Sequence, residues 1–403
     1  MISFALVIYM TTSLRSVVAV PSVPFVTSMY NSSGYINGIY SSDWIPMTQS
    51  EALNYYTVAE ICKSLQQSSH LCNEEPGDLR NYGMDKDGIV HSNKMCSNYP
   101  GAFLRHHSIN EQSYTIADLV QTMSSAGRNT IVFLGDSVSS QHFSDFVSGL
   151  VRVGFDVSQY ILDGFKDSSS YRVLYGQSRK VPIFQVVHLN IIEDTEPSFK
   201  QFHQLVSNAS LVKGKAVLIF NMGVHYNSEE TYIKQANVAL DHLKVVIQKG
   251  HTVFYRETSA QHFDTPNGMF QHYYDKKNKG EKRVSSVSLL AAKAGFISTK
   301  INYSEYEVIT PESYPNLNFR CSAIATETLA DTQNWRNKIM ATLMQERQLS
   351  SLVYLIPFFR ISAARYDFHV ASYGDCTHYC FNPMLWLPSY HQITETLLKN
   401  RQT

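Results

Sequence analysis

The sequence carries no surplus of either charge, because 34 Lys and Arg residues balance 34 Asp and Glu residues. Proteins that bind nucleic acid need excess cations to displace the counterions of the phosphates. A phosphate-binding glycine loop is also missing, and no other motif indicates a nucleotide or flavin. We therefore expect neither a nucleic-acid partner nor a bound cofactor.

Charged side chains are scarce as well, at 17% of the chain against about 25% in an average soluble protein. Their place is taken by 25 Tyr, 21 Phe and many Ser and Thr residues. A neutral, aromatic surface suits a carbohydrate, because aromatic rings stack on sugars without requiring charge.

Long apolar runs are missing near the N-terminus. The run at residues 2–10 is too short to span a bilayer, which takes about 20 apolar residues. It does fit the apolar part of a secretory signal, although no basic residue precedes it. We expect residues 1–21 to be a signal peptide or a signal-anchor, and the latter would be a single membrane anchor.

Cysteine is infrequent, but the number is even and allows three disulfides in 15 connectivities. The disulfide candidates are Cys62, Cys72, Cys96, Cys321, Cys376 and Cys380. Three Asn-x-Ser sequons are candidate glycosylation sites, at Asn31, Asn208 and Asn302. Both features favour the secretory pathway, with the protein either in the lumen or outside the cell.

The chain changes character after residue 115. Residues 22–115 predict a loop-rich flank that contains three of the cysteines, and residues 116–403 predict an α/β catalytic domain. Short apolar runs predict strands at 131–134, 181–189, 216–220, 252–255 and 351–356, and helical periodicity predicts helices after 137 and at 229–248, 284–294 and 326–344. Alternating strands and helices predict a parallel sheet covered on both faces, with its chemistry at the carboxyl ends of the strands.

Gly135-Asp136-Ser137 follows the first of these strands and precedes a helix. A serine hydroxyl at this point lies near the positive end of the helix, where free backbone N–H groups stabilise an oxyanion. Aspartate and serine are also common helix caps. The triplet therefore predicts either a nucleophile at Ser137 or an ordinary cap.

Asp375 and His378 form a second motif near the C-terminus. A serine nucleophile needs a base to take its proton, and the imidazole needs an acceptor on its other nitrogen. An ordinary surface loop is one alternative, and a zinc site is another, because Cys376 and Cys380 flank His378. Zinc is the poorer choice, since no second closely spaced Cys/His pair completes four ligands, and we expect no metal.

A third motif, Asn221-Met-Gly223-Val-His225, follows the strand at 216–220. An asparagine amide at a strand end donates a hydrogen bond to an oxyanion if the sheet brings it close to Ser137. The alternative for Asn221 is a turn residue.

The three motifs occur in the order found in the GDSL/SGNH hydrolase superfamily. More narrowly, the chain resembles the PC-esterase family, which includes the plant trichome-birefringence-like polysaccharide O-acetyltransferases. Residues 253–263 are similar to the arginine-to-His-Phe segment of that plant group, 221–225 to its Asn-Thr-Gly-His segment, 355–369 to its Arg-x-Asp-x-His stretch, and 375–380 to its Asp-Cys-Ser-His-Trp-Cys segment. The similarity covers about residues 60 to 400.

The resemblance implies an SGNH-hydrolase-like, three-layer α/β/α fold and a role for each matching residue. Ser137 would be the nucleophile, His378 its general base and Asp375 the group that orients the base. Asn221 and the backbone N–H of Ser137 would form the oxyanion hole. The residues that would line or brace the cleft are Asp136, Gly223, His225, Arg256, His262, Arg365 and His369.

Other details of the family carry over less directly. Gly164 and Gly176 are both candidates for the further oxyanion glycine. By analogy the disulfides would be Cys62–Cys96, Cys72–Cys380 and Cys321–Cys376. The chain departs from the plant pattern at Tyr379, where the family has tryptophan, and it has no Gly-Gly-x-Cys after the His-Phe segment.

The leading hypothesis is an O-acetyltransferase that moves an acetyl group to hydroxyls of a polysaccharide or glycan through an acyl-serine. A carbohydrate esterase is the alternative, differing only in whether water or a sugar attacks the acyl-enzyme. A glycan-binding module without activity is the third. The family suggests a membrane-anchored protein of the Golgi lumen or a secreted one, using an acetyl donor that the sequence does not identify.

Overall fold

The computed structural model describes residues 43–46, 104–109, 113–153, 155–159, 168–174, 184–191, 194–208, 212, 214–263, 321, 323–369, 376–379 and 383–400. The described strands are β1 (Trp44–Pro46), β2 (Leu104–His106), β3 (Thr130–Gly135), β4 (Asp156–Gln159), β5 (Ser168–Leu174), β6 (Phe184–Asn190), β7 (Ala216–Phe220), β8 (Thr252–Arg256) and β9 (Val353–Ile356).

The helices of the described residues are α1 (Ile116–Ser125), α2 (Ser137–Arg152), α3 (Thr195–Ser207), α4 (Glu229–Gln248), α5 (Glu327–Gln333), α6 (Trp335–Glu346), α7 (Phe358–Ala363) and α8 (Pro383–Lys399). A 3₁₀ turn covers Tyr366–Phe368. None of these helices combines the length and the apolarity that crossing a membrane requires.

The central sheet has seven strands in the order β4-β5-β6-β3-β7-β8-β9. Five neighbouring strands, β6, β3, β7, β8 and β9, run parallel to one another. The strands β4 and β5 pair antiparallel at one side. The carboxyl ends of β3, β7 and β8 therefore meet at one edge of the sheet, where the sequence predicts the chemistry.

Strand β3 lies at the centre of the sheet and is buried along its whole length. Because successive side chains of a strand point to opposite faces, its apolar residues feed two separate cores. Ile131 and Phe133 pack on one face, and Val132 and Leu134 pack on the other. An unbroken apolar run is what a strand covered on both sides requires.

Helices cover both faces of the sheet. Apolar side chains of α1, α2, α7 and α8 join the core with Ile131 and Phe133, and those of α3, α4 and α6 join the core with Val132 and Leu134. The expected arrangement of helices on both sides of a mostly parallel sheet is therefore confirmed.

Several predicted elements agree with the structure closely. Helix 229–248 and strand 216–220 have the predicted bounds, and the strands predicted at 131–134, 252–255 and 351–356 correspond to β3, β8 and β9. The strand predicted from 181 is described from Phe184. The helix predicted at 284–294 lies outside the described residues.

Two expectations about these elements are wrong. The antiparallel pair β4 and β5 was not expected in a parallel sheet. The single helix predicted at 326–344 is two helices, because Asn334 ends one and begins the next with φ −80° and ψ 8°. The Asn334 side chain accepts a hydrogen bond of 2.7 Å from the Asn337 amide.

The flank is described only in part. Strands β1 and β2 form an antiparallel pair, so part of it is regular. Trp44 is fully buried in the core that α8 also joins. The rest of the flank, the expected signal segment, Gly164, Gly176 and the sequons at Asn31 and Asn302 lie outside the described residues. Asn208 is exposed at the C-terminal end of α3.

Candidate active site

The site is built around the tight turn between β3 and α2. Asp136 is the one residue between them, and its carboxylate accepts hydrogen bonds from the backbone N–H groups of Val138 at 3.0 Å and Ser139 at 3.3 Å. Asp136 is therefore the helix cap. The cap interpretation therefore applies to Asp136, which leaves the hydroxyl and N–H of Ser137 for other partners.

Gly135 is required at the end of β3 by close packing. A Cβ atom on this residue would collide with the Ser139 side chain and would lie 2.9 Å from the Asn221 carbonyl oxygen. The backbone N–H of Asn221 donates to the Leu134 carbonyl at 2.9 Å. The glycine thus lets the end of β7 approach the turn that carries Ser137.

Ser137 and His378 come together at this edge of the sheet. The His378 Nε2 atom lies 2.6 Å from the Ser137 Oγ atom, although 241 residues separate the two along the chain. Both side chains are partly exposed. Hydrogen-bond contact between a serine and an imidazole is the arrangement needed to remove the hydroxyl proton during attack. Asp375 lies outside the described residues, so its role stays a prediction.

The segment that carries His378 is fastened to α2 by Gln141. The Gln141 amide donates to the Tyr379 carbonyl at 2.7 Å, and the Tyr379 N–H donates to the Gln141 side-chain oxygen at 3.1 Å. Gln141 is one helical turn after Ser137 and so lies on the same face of α2. One helix therefore holds both Ser137 and the backbone beside His378.

Residues after β8 hold the same segment from the other side. The Gln261 amide donates to the Thr377 hydroxyl at 2.9 Å, and the Tyr379 hydroxyl donates to the Ala260 carbonyl at 3.0 Å. A disulfide joins Cys321 to Cys376, two residues before His378. His378 is thus carried on a short loop with several independent attachments.

The disulfide bears on two expectations. It confirms the Cys321–Cys376 pairing that the family resemblance implied. Because the sulfur of Cys376 is taken, the zinc alternative loses one of its three proposed ligands. The pairs Cys62–Cys96 and Cys72–Cys380 involve residues outside the described set.

Asn221 lies next to the turn but is 1% exposed. Its amide nitrogen donates to the Arg256 carbonyl at 2.9 Å, and its side-chain oxygen accepts from the Ser139 hydroxyl at 3.5 Å. A primary amide has a second N–H, which is the group that an oxyanion would use. The Ser137 N–H is the other donor expected, because Asp136 takes those of the next two residues.

Arg256 is fully buried beneath the turn. Its guanidinium donates to the Ser139 hydroxyl at 2.9 Å and lies 4.0 Å from the Asp136 carboxylate. Burial lowers the pKa of Arg256 to about 10, while the negative charge of Asp136 opposes that shift. The ring of Phe358 covers the guanidinium at 5.0 Å. Arg256 therefore supports the turn from below.

The other cleft candidates fall into two groups. His225 is exposed, and Gly223 is buried so tightly that a side chain there would collide with Thr258. The buried group consists of His262, Arg365 and His369, each 1% exposed or less. Their burial fits bracing better than direct contact with a substrate.

One cluster of the described residues has the spacing of a metal site. Asp43, His106 and His107 bring ligand atoms within 4.8 Å of one another. The Asp43 carboxylate, however, accepts two hydrogen bonds from Arg360, at 2.7 and 3.2 Å. A cation already neutralises this carboxylate, so we assign no metal here.

Sequence reasoning missed Ser139, Gln141 and Gln261. A signal existed for Gln141, since a residue four positions after a helical nucleophile lies over it. No comparable pattern marks Gln261, whose partner Thr377 is distant in the sequence.

Comparisons of the chain with protein-family models, curated proteins and solved structures return no match.

Proposed function

We propose that this chain is a serine-dependent O-acetyltransferase that moves an acetyl group to a hydroxyl of a polysaccharide or glycan. The observation that carries the proposal is the 2.6 Å contact between His378 Nε2 and Ser137 Oγ at the carboxyl edge of a parallel sheet. The motif order shared with SGNH hydrolases supports an SGNH-type, PC-esterase-like domain. The neutral, aromatic composition supports a carbohydrate acceptor.

In the first half-reaction, the Ser137 Oγ atom attacks the acetyl carbonyl of the donor while His378 takes the hydroxyl proton. The negative charge on the carbonyl oxygen is stabilised by the Ser137 N–H and the second N–H of Asn221. The bond to the donor oxygen then breaks, and His378 gives that oxygen the proton. Acetyl-Ser137 remains.

In the second half-reaction, a sugar hydroxyl attacks acetyl-Ser137 and transfers its proton to His378. The bond between the acetyl carbon and Ser137 Oγ breaks, and His378 returns the proton to Ser137. Asp375 would orient His378 through both steps. No cofactor takes part, and the acetyl donor must be present on the same side of the membrane as the site.

The disulfide beside His378 supports a compartment in which thiols oxidise, because such bonds are rare in the cytosol. We therefore place the proposed reaction in the secretory pathway, either in the Golgi lumen or outside the cell.

An activated acetyl ester tests the proposal. Purified protein is incubated with 4-nitrophenyl acetate, with and without neutral oligosaccharides, and both free acetate and acetylated sugar are measured. We expect acetylated sugar to form at the expense of acetate. If acetate is released at the same rate with and without oligosaccharide, the protein is an esterase. If mass spectrometry finds no acyl-Ser137, the remaining hypothesis is a binding module.

The matched variants are Ser137→Ala and Ser207→Ala, since Ser207 is an exposed serine at the end of α3. In other serine enzymes, loss of the nucleophile lowers kcat about 10⁶-fold. We expect only Ser137→Ala to abolish both turnover and labelling by a serine-reactive phosphonate. Equal activity in the two variants would refute the assignment.

A further inference from the structure

Two buried histidines lie directly behind the segment that carries His378. His262 follows β8, and His369 follows the 3₁₀ turn, and each is 1% exposed. The His262 Nδ1 atom lies 2.7 Å from the His369 Nε2 atom. At the two outer ends, His262 Nε2 lies 3.0 Å from the Ala363 carbonyl oxygen, and His369 Nδ1 lies 2.6 Å from the His378 carbonyl oxygen.

Counting protons along this chain gives an odd result. A carbonyl oxygen only accepts, so the two outer nitrogens must each carry a proton. The inner contact between His262 and His369 needs a third proton, on one nitrogen or the other. Two neutral imidazoles carry only two protons, so three hydrogen bonds require one ring to be an imidazolium.

Turning one of the rings over does not remove the need for a third proton. Turning either ring over about its Cβ–Cγ bond would replace both of its bonding nitrogens with carbon. A carbon at 2.6 Å from the His378 oxygen or 2.7 Å from the neighbouring nitrogen would be a collision rather than a contact. The nitrogen positions are therefore those that the short distances require.

The surroundings suit one positive charge and not two. The Tyr379 ring stacks on His369 with centroids 4.4 Å apart, and an aromatic face attracts a cation. Arg365, the nearest basic residue in the sequence, has its guanidinium over the rings of Phe368 and Trp44. Burial, followed by the adjacent His369, holds the pKa of His262 well below its usual range, so the single charge of the pair belongs on the His369 ring.

We infer that His262 and His369 share one proton as an imidazolium–imidazole pair, and that this pair positions His378 by holding its carbonyl oxygen. The catalytic consequence rests on the proposed function, but the charge state does not. Both histidines are positioning residues, because neither touches the Ser137 hydroxyl. Removal of the shared proton leaves three contacts with two protons, so one contact must open.

The sign of the pH effect follows from this charge. A group whose charged form is favoured by folding keeps its contribution at low pH and loses it as the pH rises through its folded pKa. The general base, in contrast, must be deprotonated to act. We therefore expect the rate of Ser137 labelling by a phosphonate to rise as His378 loses its proton and to fall again at higher pH as the pair loses its own.

Imidazole ¹⁵N NMR of the full-length protein, labelled only at histidine, tests the charge state without any substrate. At pH 7.5 we expect one buried ring with protons on both nitrogens. The signal is assigned by its loss in His262→Gln and His369→Gln. If both buried rings show one bare nitrogen at pH 7.5, the shared proton does not exist, whatever the enzyme does.

The functional arm compares phosphonate labelling of wild type and His369→Gln across pH. The glutamine amide can still donate to the His378 carbonyl but brings no titratable proton. We expect the labelling rate at neutral pH to fall about tenfold, since small displacements of a base are costly, and the alkaline decline to disappear. His262→Gln serves as the second variant should His369→Gln fail to fold. An unchanged alkaline decline in a folded variant would overturn the positioning role.

Discussion

At the scale of single residues, neighbouring polar residues of the turn contact different partners. Asp136 caps α2 with its carboxylate, and Ser137 keeps its hydroxyl for His378. Ser139 does neither, but links Arg256 to Asn221. Asp136, Ser139 and Asn221 beside Ser137 are thus buried and hydrogen-bonded, which favours a single arrangement of the turn.

Among these substitutions, replacing Arg256 should lower the free energy of unfolding the most. The variant Arg256→Met keeps the apolar contact with Phe358 but leaves Asp136 buried without its cation. Breaking a buried ion pair costs about 3–5 kcal/mol. Urea unfolding should show a loss of this size, and the double variant with Asp136→Asn should recover part of it.

The matched control is Arg347→Met, which breaks a partly exposed pair with Asp241. Exposed pairs contribute about 0–1 kcal/mol. A loss in Arg256→Met no larger than in this control would show that the buried charge contributes little.

The sequence predicted the residues that have a chemical signature of their own. Ser137 and His378 stand in recognisable motifs, and their contact was expected because a serine nucleophile needs a base. Ser139 and Gln141 act through the backbone or through other side chains, so their roles depend on distances that no local pattern records.

At the scale of elements, the contact between Ser137 and His378 depends on how α2 is joined to the loop at 376–379. Gln141 makes two hydrogen bonds to the Tyr379 backbone, and both are buried. These two contacts link the helix that carries Ser137 directly to the loop that carries His378.

Replacing Gln141 tests that link. In Gln141→Ala, the Tyr379 N–H and carbonyl lose their partners, and leaving a buried polar group unpaired costs about 1–3 kcal/mol. We expect kcat to fall by about 10–100-fold, because the base is displaced from Ser137. The control Gln121→Ala, on the exposed surface of α1, should leave kcat unchanged. If Gln141→Ala is less stable but fully active, the attachment of the loop to α2 does not affect the reaction.

The Cys321–Cys376 bond is the second attachment of the loop. It joins residues 55 positions apart, and a bond that closes a loop of this size contributes about 2–4 kcal/mol. The double variant Cys321→Ala/Cys376→Ala should lose that amount in urea unfolding, and its labelling rate at Ser137 should fall at temperatures where it is still folded. An unchanged unfolding midpoint would mean that the loop is held by its hydrogen bonds alone.

Elements with a strong internal pattern were predicted well, and those fixed by distant contacts were not. Helix 229–248 has its periodicity and a serine cap in the sequence, and the structure has it at the same bounds. The break at Asn334 depends on hydrogen bonds among Asn334, Asn337 and Thr258, which bring segments together from far apart. The antiparallel direction of β5 is likewise set by its pairing with β6.

At the scale of the whole molecule, the folded chain buries several histidines in neutral form. Desolvation lowers the pKa values of His106, His188 and His251 to about 4. The stability that each contributes is complete above its ordinary pKa and is lost as the pH falls toward 4. Glu257 acts in the opposite sense, because burial raises its pKa to about 7 and its contribution is lost as the pH rises.

Stability should therefore fall on acidification. Between pH 6.5 and 5, His106, His188 and His251 each take up a proton on unfolding, which outweighs the one proton that Glu257 releases. The free energy of unfolding, measured in urea, should therefore drop by about 1.4 kcal/mol per pH unit for each net proton taken up. His251→Gln, which keeps an acceptor for the Ala216 N–H, should have a shallower slope by about one proton. A flat profile would contradict the neutral burial of these rings.

The position of Gln141 one turn after Ser137 has a consequence for motion. A helix is stiff over the distance of one turn. Any thermal displacement of α2 therefore moves Ser137 together with Gln141 and its two hydrogen bonds to the Tyr379 backbone. The loop at 376–379 is then dragged along with the helix instead of drifting against it. Fluctuations that would separate two independently anchored groups should leave the gap between hydroxyl and imidazole nearly constant.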